Sequence, residues 1–252
     1  RRGRGDAAPA AERAKLPVTI VTGYLGAGKS TLVQRILQEQ HGLKILVIEN
    51  EVGAVGIDNE LLLQHTEKED IVLLNNGCLC CRVRRDLVGV FRALVDRMPL
   101  LDGCVIETTG LADPSPVTQS FFADEVLKEH CYLDAILTVV DCKHVHTQLA
   151  EARAGTTGAS GRRVHLGINE VAQQISFADR VLLNKVDIVT ADELEATRAL
   201  VSSLNSAAKA YTTTRAHGVE LSELIGIGAF DPARHMDSWA TLSDGGAEPG
   251  AA

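Results

Sequence analysis

An α/β domain, with a mostly parallel sheet flanked by helices on both faces, is the fold class this sequence predicts. Three observations carry that expectation. Strand-like and helix-like signals alternate along the chain, the mark of parallel strands joined by crossover helices. Apolar residues make up 45% of the 252 residues but aromatics only 4%, the balance of an aliphatic sheet buried on both faces. A glycine-rich stretch also stands between a β-branched run and an apolar pattern of helical period, a strand–turn–helix unit.

That unit opens with Val18-Thr19-Ile20-Val21-Thr22 and turns through Gly23-Tyr24-Leu25-Gly26-Ala27-Gly28-Lys29-Ser30. It continues as Thr31-Leu32-Val33-Gln34-Arg35-Ile36-Leu37, apolar at helical spacing. Residues 43–48 predict a second strand leading into Glu49-Asn50-Glu51. Asp58 then stands as a helix N-cap before Asn59-Glu60-Leu61-Leu62. Residues 71–74 predict a third strand ending at Asn75-Asn76-Gly77, and residues 86–98 an amphipathic helix. Residues 104–106 read as a short fourth strand entering Glu107-Thr108-Thr109-Gly110, and Pro114 suits the first turn of another helix. Residues 135–140, closed by Asp141, form the fifth strand, and Lys143-His144-Val145-His146 starts a helix. The Gly, Ala, Thr and Ser of residues 151–163 predict a mobile loop. A helix at 168–177, a strand at 180–183, a helix at 191–204 and a strand at 210–213 complete the pattern. The expected organisation is a disordered extension over 1–15, a domain over 16–230, and over 231–252 a tail or a linker to a further domain.

Composition excludes several classes. A net charge of −8 argues against nucleic-acid binding, which needs a cationic surface, and no uninterrupted apolar run reaches membrane-spanning length. Of six cysteines, three crowd into Cys78-Leu79-Cys80-Cys81. A disulfide framework would spread them, so the pattern points to a reducing compartment with one thiol-rich site, and to Cys104, Cys131 and Cys142 as core residues. Cytoplasmic residence is expected. A plastid or other organelle follows instead if the Arg/Ala-rich residues 1–14 are a transit-peptide remnant.

Gly23 to Ser30 fits the pattern Gly, four residues, Gly-Lys, then Ser or Thr. Such a loop wraps backbone N–H groups around a polyphosphate at a helix N-terminus whose dipole favours anions. Gly23, Gly26, Ala27, Gly28 and Thr31 contribute backbone. Lys29 reaches the β- and γ-phosphates, and the Ser30 hydroxyl is placed for Mg²⁺. Asn184-Lys185-Val186-Asp187, after the sixth strand, adds guanine specificity. The Asp187 carboxylate can accept from N1–H and the exocyclic amine, Asn184 can meet the other edge of the base, and the Lys185 stem can cover its face. Glu107 ends its strand as an acid suited to Mg²⁺, and Gly110 can give its N–H to a γ-phosphate. Asp58 is a candidate for orienting the attacking water, alongside its reading as a helix cap.

Cys78, Cys80 and Cys81 supply soft thiolates for Zn²⁺, with Co²⁺ or Ni²⁺ also possible partners. Arg82, Arg84 and Arg85 favour the thiolate form. Three protein ligands leave a tetrahedral position for Glu49, Glu51 or water, the arrangement of a transfer site rather than a closed structural one. His144 and His146 read as a solvated helix start more than as a ligand pair.

Together these motifs, with Leu111-Ala112-Asp113-Pro114 after Gly110, resemble the CobW family of G3E P-loop GTPases over about residues 16–230. Within it they resemble the zinc-regulated metalloprotein activators. The resemblance implies a P-loop NTPase fold of the G3E (SIMIBI) type and a metallochaperone that binds GTP or GDP, Mg²⁺ and Zn²⁺ and couples hydrolysis to metal delivery. It also implies a client metalloprotein as partner, a homodimer, and Cys78/Cys80/Cys81 as the metal site. A nucleotide-responsive zinc buffer and a P-loop small-molecule kinase are the alternative readings. Val52-Gly53-Ala54 departs from the aromatic, Gly and acid that often follow Glu-Asn-Glu in the family. Residues 1–16 lack the Cys-Pro segment of some zinc-linked members.

Overall fold

A computed structural model describes residues 15–39, 42–50, 62–66, 69–74, 81–154 and 170–234. Among them are eight strands: β1 (Leu16–Thr22), β2 (Ile45–Asn50), β3 (Leu62–Thr66), β4 (Glu69–Leu74), β5 (Gly103–Glu107), β6 (Cys131–Asp141), β7 (Arg180–Asn184) and β8 (Lys209–Thr212). The α-helices are α1 (Lys29–Gln38), α2 (Cys81–Leu94), α3 (Ser115–Ala123), α4 (Glu125–His130), α5 (Val145–Ala154), α6 (Glu170–Ser176) and α7 (Ala191–Leu204). The strands form one sheet in the order β3-β4-β2-β5-β1-β6-β7-β8. Every neighbouring pair is parallel except β3–β4. The α/β class with a mostly parallel sheet is therefore observed.

Period-two alternation sends side chains to opposite faces. Leu46, Ile48, Cys104 and Ile106 join one core with Leu87, Val90 and Phe91 of α2. Ile45, Val47 and Val105 join another with Leu32, Val33 and Ile36 of α1. A third core packs β6 and β7 against α5, α6 and α7. Phe91 and Phe121 meet edge to face, with centroids 6.1 Å apart.

Two local expectations fail. The helix foreseen from Asp58 through Leu62 does not reach its last residue, because Leu62–Thr66 is the antiparallel edge strand β3, paired on β4. Non-local ladder bonds outweigh a weak helical signal there. Residues 151–154 belong to α5 rather than to a loop. The helix foreseen at 191–204 is α7. Its start is fixed by a capping box: Glu193 N–H donates to Thr190 Oγ1 (3.2 Å) and Thr190 N–H donates to Glu193 Oε2 (2.7 Å).

The amino end of β6 is tied down by the segment after β8. Pairing shifts between Val18 and Thr19 of β1, so Asp134 falls opposite neither. Its buried carboxylate accepts from Thr19 Oγ1 (3.0 Å), Gly226 N–H (2.9 Å) and Gly228 N–H (2.6 Å). Its carbonyl accepts from Ala229 and Phe230 N–H. Nearby, Asp179 takes the Ile136 N–H (2.8 Å) and pairs with Arg234 (3.1 Å).

Burial pushes the Asp179 carboxyl up to about 6, against the opposing pull of the Ile136 N–H and of Arg234. Unfolding returns it to about 3.8, so between those values the folded chain holds a proton that the unfolded chain has released. The stability tied to this group is full below about pH 4 and is lost as pH rises through about 6. In urea titrations the wild type is expected to lose on the order of 2 kcal/mol relative to Asp179→Asn between about pH 4 and pH 7. Parallel pH profiles would refute this.

Candidate functional site

The strand order sets out the candidate residues along one edge of the sheet, where parallel α/β folds bind ligands. Passing along the carboxyl ends from β4 to β8 come Leu74, then Glu49, Glu107, the 23–30 loop, Asp141, Asn184 and Thr213. Asp58, Cys78 and Cys80 lie outside the described residues, as do the side chains of Cys81 and Glu49. The backbone places Cys81 at the start of α2 and Glu49 in register with Glu107 across β2 and β5.

The loop closes on itself through Ala27 N–H to the Tyr24 carbonyl (3.1 Å) and passes directly into α1 at Lys29. Two of its glycines are sterically required. A Cβ on Gly23 (φ 141°) would lie 2.3 Å from the Val139 carbonyl oxygen, and one on Gly28 (φ 109°) would lie 2.5 Å from Asn184 Nδ2. The first N–H groups of α1 have no intrahelical acceptor, the arrangement that favours an anion at a helix N-terminus. Lys29 is buried, and its ammonium donates to the Tyr24 carbonyl (3.3 Å). Burial lowers its pKa while Glu107 opposes the shift. Ser30 Oγ donates to Glu107 Oε1 at 2.8 Å. This pair offers only oxygen donors at the junction of loop and sheet, the chemistry Mg²⁺ requires. Thr31 is exposed on the first turn.

Gly110 lies on the same loop: a Cβ there would be 2.7 Å from Leu25 N and 2.9 Å from Leu25 Cα. Its turn is closed by Ala112 N–H to the Thr109 carbonyl (3.0 Å). From α6, Gln174 Nε2 donates to the carbonyls of Gly110 and Ala112, both at 3.2 Å.

Asn184 is buried and serves as a brace. Its Nδ2 donates to the Ala27 carbonyl (2.8 Å), while its Oδ1 accepts from Thr213 Oγ1 (3.0 Å) and Ala216 N–H (3.1 Å). Arg35 of α1 grips the same loop from below, donating to the carbonyls of Ala216 and Val219, both at 2.7 Å. Lys185 adopts a left-handed backbone (φ 64°) and reaches Asp141 Oδ2 at 2.7 Å. Burial alone would raise the Asp141 carboxyl, but hydrogen bonds from Lys185, His144 and the Lys143 N–H outweigh it and hold it below the usual range. Asp187 is exposed on the short turn Val186–Ile188.

His144 and His146 each have a partner on the protein: Nδ1 of the first meets Asp141 (2.9 Å) and Nε2 of the second meets Thr197 Oγ1 (3.3 Å). Cys104, Cys131 and Cys142 are buried and free, as expected. Burial pushes the Cys131 thiol up to about 12 and Cys142 up to about 11, so neither offers a thiolate at neutral pH. Among the described residues no three His, Cys, Asp or Glu side chains gather to hold a metal. Arg35, Asp141, Gln174, Thr213 and Ala216 were not singled out for the site from sequence. The available signal was a polar residue inside an apolar helical face, as with Arg35 between Leu32 and Ile36, or Gln174 beside Val171 and Ile175.

A model of the CobW/HypB/UreG nucleotide-binding domain matches residues 17–212. Zinc chaperone YjiA of Escherichia coli is 37% identical over 220 residues, covering 85% of this chain and 62% of that protein. Zinc-regulated GTPase metalloprotein activator 1 of Schizosaccharomyces pombe is 34% identical over 219 residues, covering 85% of this chain and 50% of that protein. The chain thus spans between half and two thirds of these relatives. The crystal structure of Zn(II)-bound YjiA GTPase from Escherichia coli superposes with a TM-score of 0.63 at 33% identity, covering 86% of this chain and 63% of that one.

Replacing Asn184 with alanine strands the Ala27 carbonyl, the Thr213 hydroxyl and the Ala216 N–H in a dry interior. Asn184→Ala is expected to lower unfolding free energy by about 2–4 kcal/mol. Amide exchange should quicken at residues 213–217 while α7 stays protected. Wild-type exchange at those residues would show that the brace is not what holds the loop.

Proposed function

We propose a metal-carrying GTPase on a plain premise: the chain belongs to the CobW/HypB/UreG nucleotide-binding family. The observation that carries the reading is the meeting of Lys29, Ser30, Glu107 and Gly110 around one loop, with Asn184 bracing that loop from the guanine-recognition motif. The triphosphate sits on the N–H groups of Gly26 to Thr31, with Lys29 meeting the β- and γ-phosphates. The lowered pKa of Lys29 reflects burial that a polyanion would offset. Ser30 and Glu107 would hold Mg²⁺, whose charge neutralises the phosphate oxygens. Gly110 N–H senses the γ-phosphate, and Asp58 orients the attacking water. Asp187, open to solvent, takes the N1–H and amine edge of guanine.

Zinc is the cargo, held by Cys78, Cys80 and Cys81 with Glu49. The names of the YjiA and Schizosaccharomyces pombe relatives support zinc and a client metalloprotein. The chemistry of three thiolates supports it independently. A nucleotide- or metal-dependent homodimer belongs to the same reading, as does residence in the cytoplasm or an organelle; no helix among the described residues is long and apolar enough to cross a membrane.

Two outcomes follow. Phosphate release from GTP is expected to fall at least about hundredfold in Lys29→Ala. Zinc affinity, read by competition with a chromophoric chelator, should rise about 5–150-fold from GDP to a non-hydrolysable GTP analogue with Mg²⁺, and Cys80→Ser should abolish that rise. Equal zinc affinity in both nucleotide states sinks the coupling.

Guanine selection has its own test. Asp187→Asn removes the carboxylate acceptor, so GTP affinity should drop roughly hundredfold while xanthosine triphosphate gains. Unchanged selectivity in isothermal titration would assign Asp187 to the surface only.

A further inference from the structure

We propose that Gln174 is the latch of the γ-phosphate sensor: a positioning residue that fixes the Gly110 peptide and so sets how strongly the site distinguishes GTP from GDP. The inference rests on the GTPase reading and deepens it.

The sensing direction is set by backbone geometry. In a trans peptide the carbonyl and the following N–H point in opposite directions. The Thr109 carbonyl is held by the Ala112 N–H at 3.0 Å, which fixes the plane of the Thr109–Gly110 peptide and hence the direction of the Gly110 N–H. This turn is small and has no side chain of its own at Gly110, so it needs an outside support. Gln174 provides it, with one amide nitrogen donating to the Gly110 and Ala112 carbonyls together. On the opposite side Gly110 is pressed on Leu25, where a Cβ would lie 2.7 Å from the backbone nitrogen. Gly110, which carries the sensing N–H, is thus held between the phosphate loop and α6, with Gln174 fixing the peptides on its carboxyl side.

The latch is itself anchored. Gln174 is 1% exposed, and its backbone carbonyl accepts from Thr138 Oγ1 of β6 at 2.6 Å. Among the described residues its buried Oε1 has no hydrogen-bond partner. That unmet acceptor costs stability, and the two bonds from Nε2 to the Gly110 and Ala112 carbonyls offset part of the cost. A small cavity is lined by Tyr24, Thr138, Asp141 and Gln174.

The test uses the whole chain and two near-isosteric variants. Gln174→Met keeps length and loses the donor; Gln174→Glu keeps length and leaves at most one O–H donor for the two carbonyls. In both, GDP affinity, measured with a fluorescent GDP analogue, is expected to stay within about twofold of wild type, while kcat for GTP falls about tenfold at unchanged KM. The wild-type preference for a non-hydrolysable GTP analogue over GDP should shrink by a similar factor. A preference and kcat equal to wild type overturn the proposal, and so does a parallel loss of GDP binding and thermal stability, which marks a packing role. If Gln174→Met does not fold, Gln174→Glu decides by the same ratio. A wild type that binds guanine nucleotides without turnover defeats the GTPase reading alone, because the affinity ratio still reads the latch. A wild type that binds neither nucleotide overturns both.

Discussion

One buried amide ties the nucleotide edge of this molecule together. Asn184 uses both acceptor sites of its oxygen and one of its two N–H groups to join three segments: the phosphate loop at Ala27, the end of β7, and the loop after β8 at Thr213 and Ala216. Each bond is worth about 1 kcal/mol net, but each buried group left unpaired costs about 1–3 kcal/mol, so loss of one anchor exposes the others to the same penalty. Gly28 is small because the Asn184 amide occupies the space a Cβ would need. Arg35 then locks the arrangement from α1 by holding the carbonyls of Ala216 and Val219. Phosphate loop, its helix and the base-side loop form one body.

The other side of the phosphate loop is joined more lightly. Glu107 meets it at the Ser30 hydroxyl, and the Gly110 turn that follows is held by longer bonds from Gln174. In the proposed function the contrast separates two tasks along a single sheet edge. Recognition of the base needs a rigid frame, because selectivity comes from leaving the wrong partner unpaired. Sensing a γ-phosphate needs a segment with two arrangements close in energy.

The sequence carried the fold where patterns were local. The phosphate loop, the aliphatic strands β1, β5 and β7, and helix α7 were all legible from spacing. β3 was not, because an edge strand is specified by its partner β4 rather than by its own short pattern. Glu107 was legible as an acid ending a strand. Arg35, Asp134 and Gln174 were not, because their partners are backbone groups 181, 94 and 64 residues away, and no periodicity reports such pairings. Asn184 was found by its motif, yet the motif spoke for a base contact and not for the brace that its buried side chain supplies.

Parallel register also shapes how the proposed metal cargo and the nucleotide can communicate. Glu49 and Glu107 stand opposite each other on β2 and β5, and Asn50 stands opposite Leu74, the last residue of β4. Neighbouring strands lie about 4.8 Å apart, so the three steps from β1 to β4 span about 14 Å. Over that distance coupling requires an element with two arrangements, not a long chain of contacts. Coupling energies between ligands typically run to about 1–3 kcal/mol. Two hydrogen bonds from one amide, at about 0.5–1.5 kcal/mol each, fall in the same range. A much stronger restraint on the Gly110 turn would freeze it in one state, and a much weaker one would leave the metal site indifferent to the nucleotide. The turn beside Gln174 is therefore matched in magnitude to the bias that the proposed function demands.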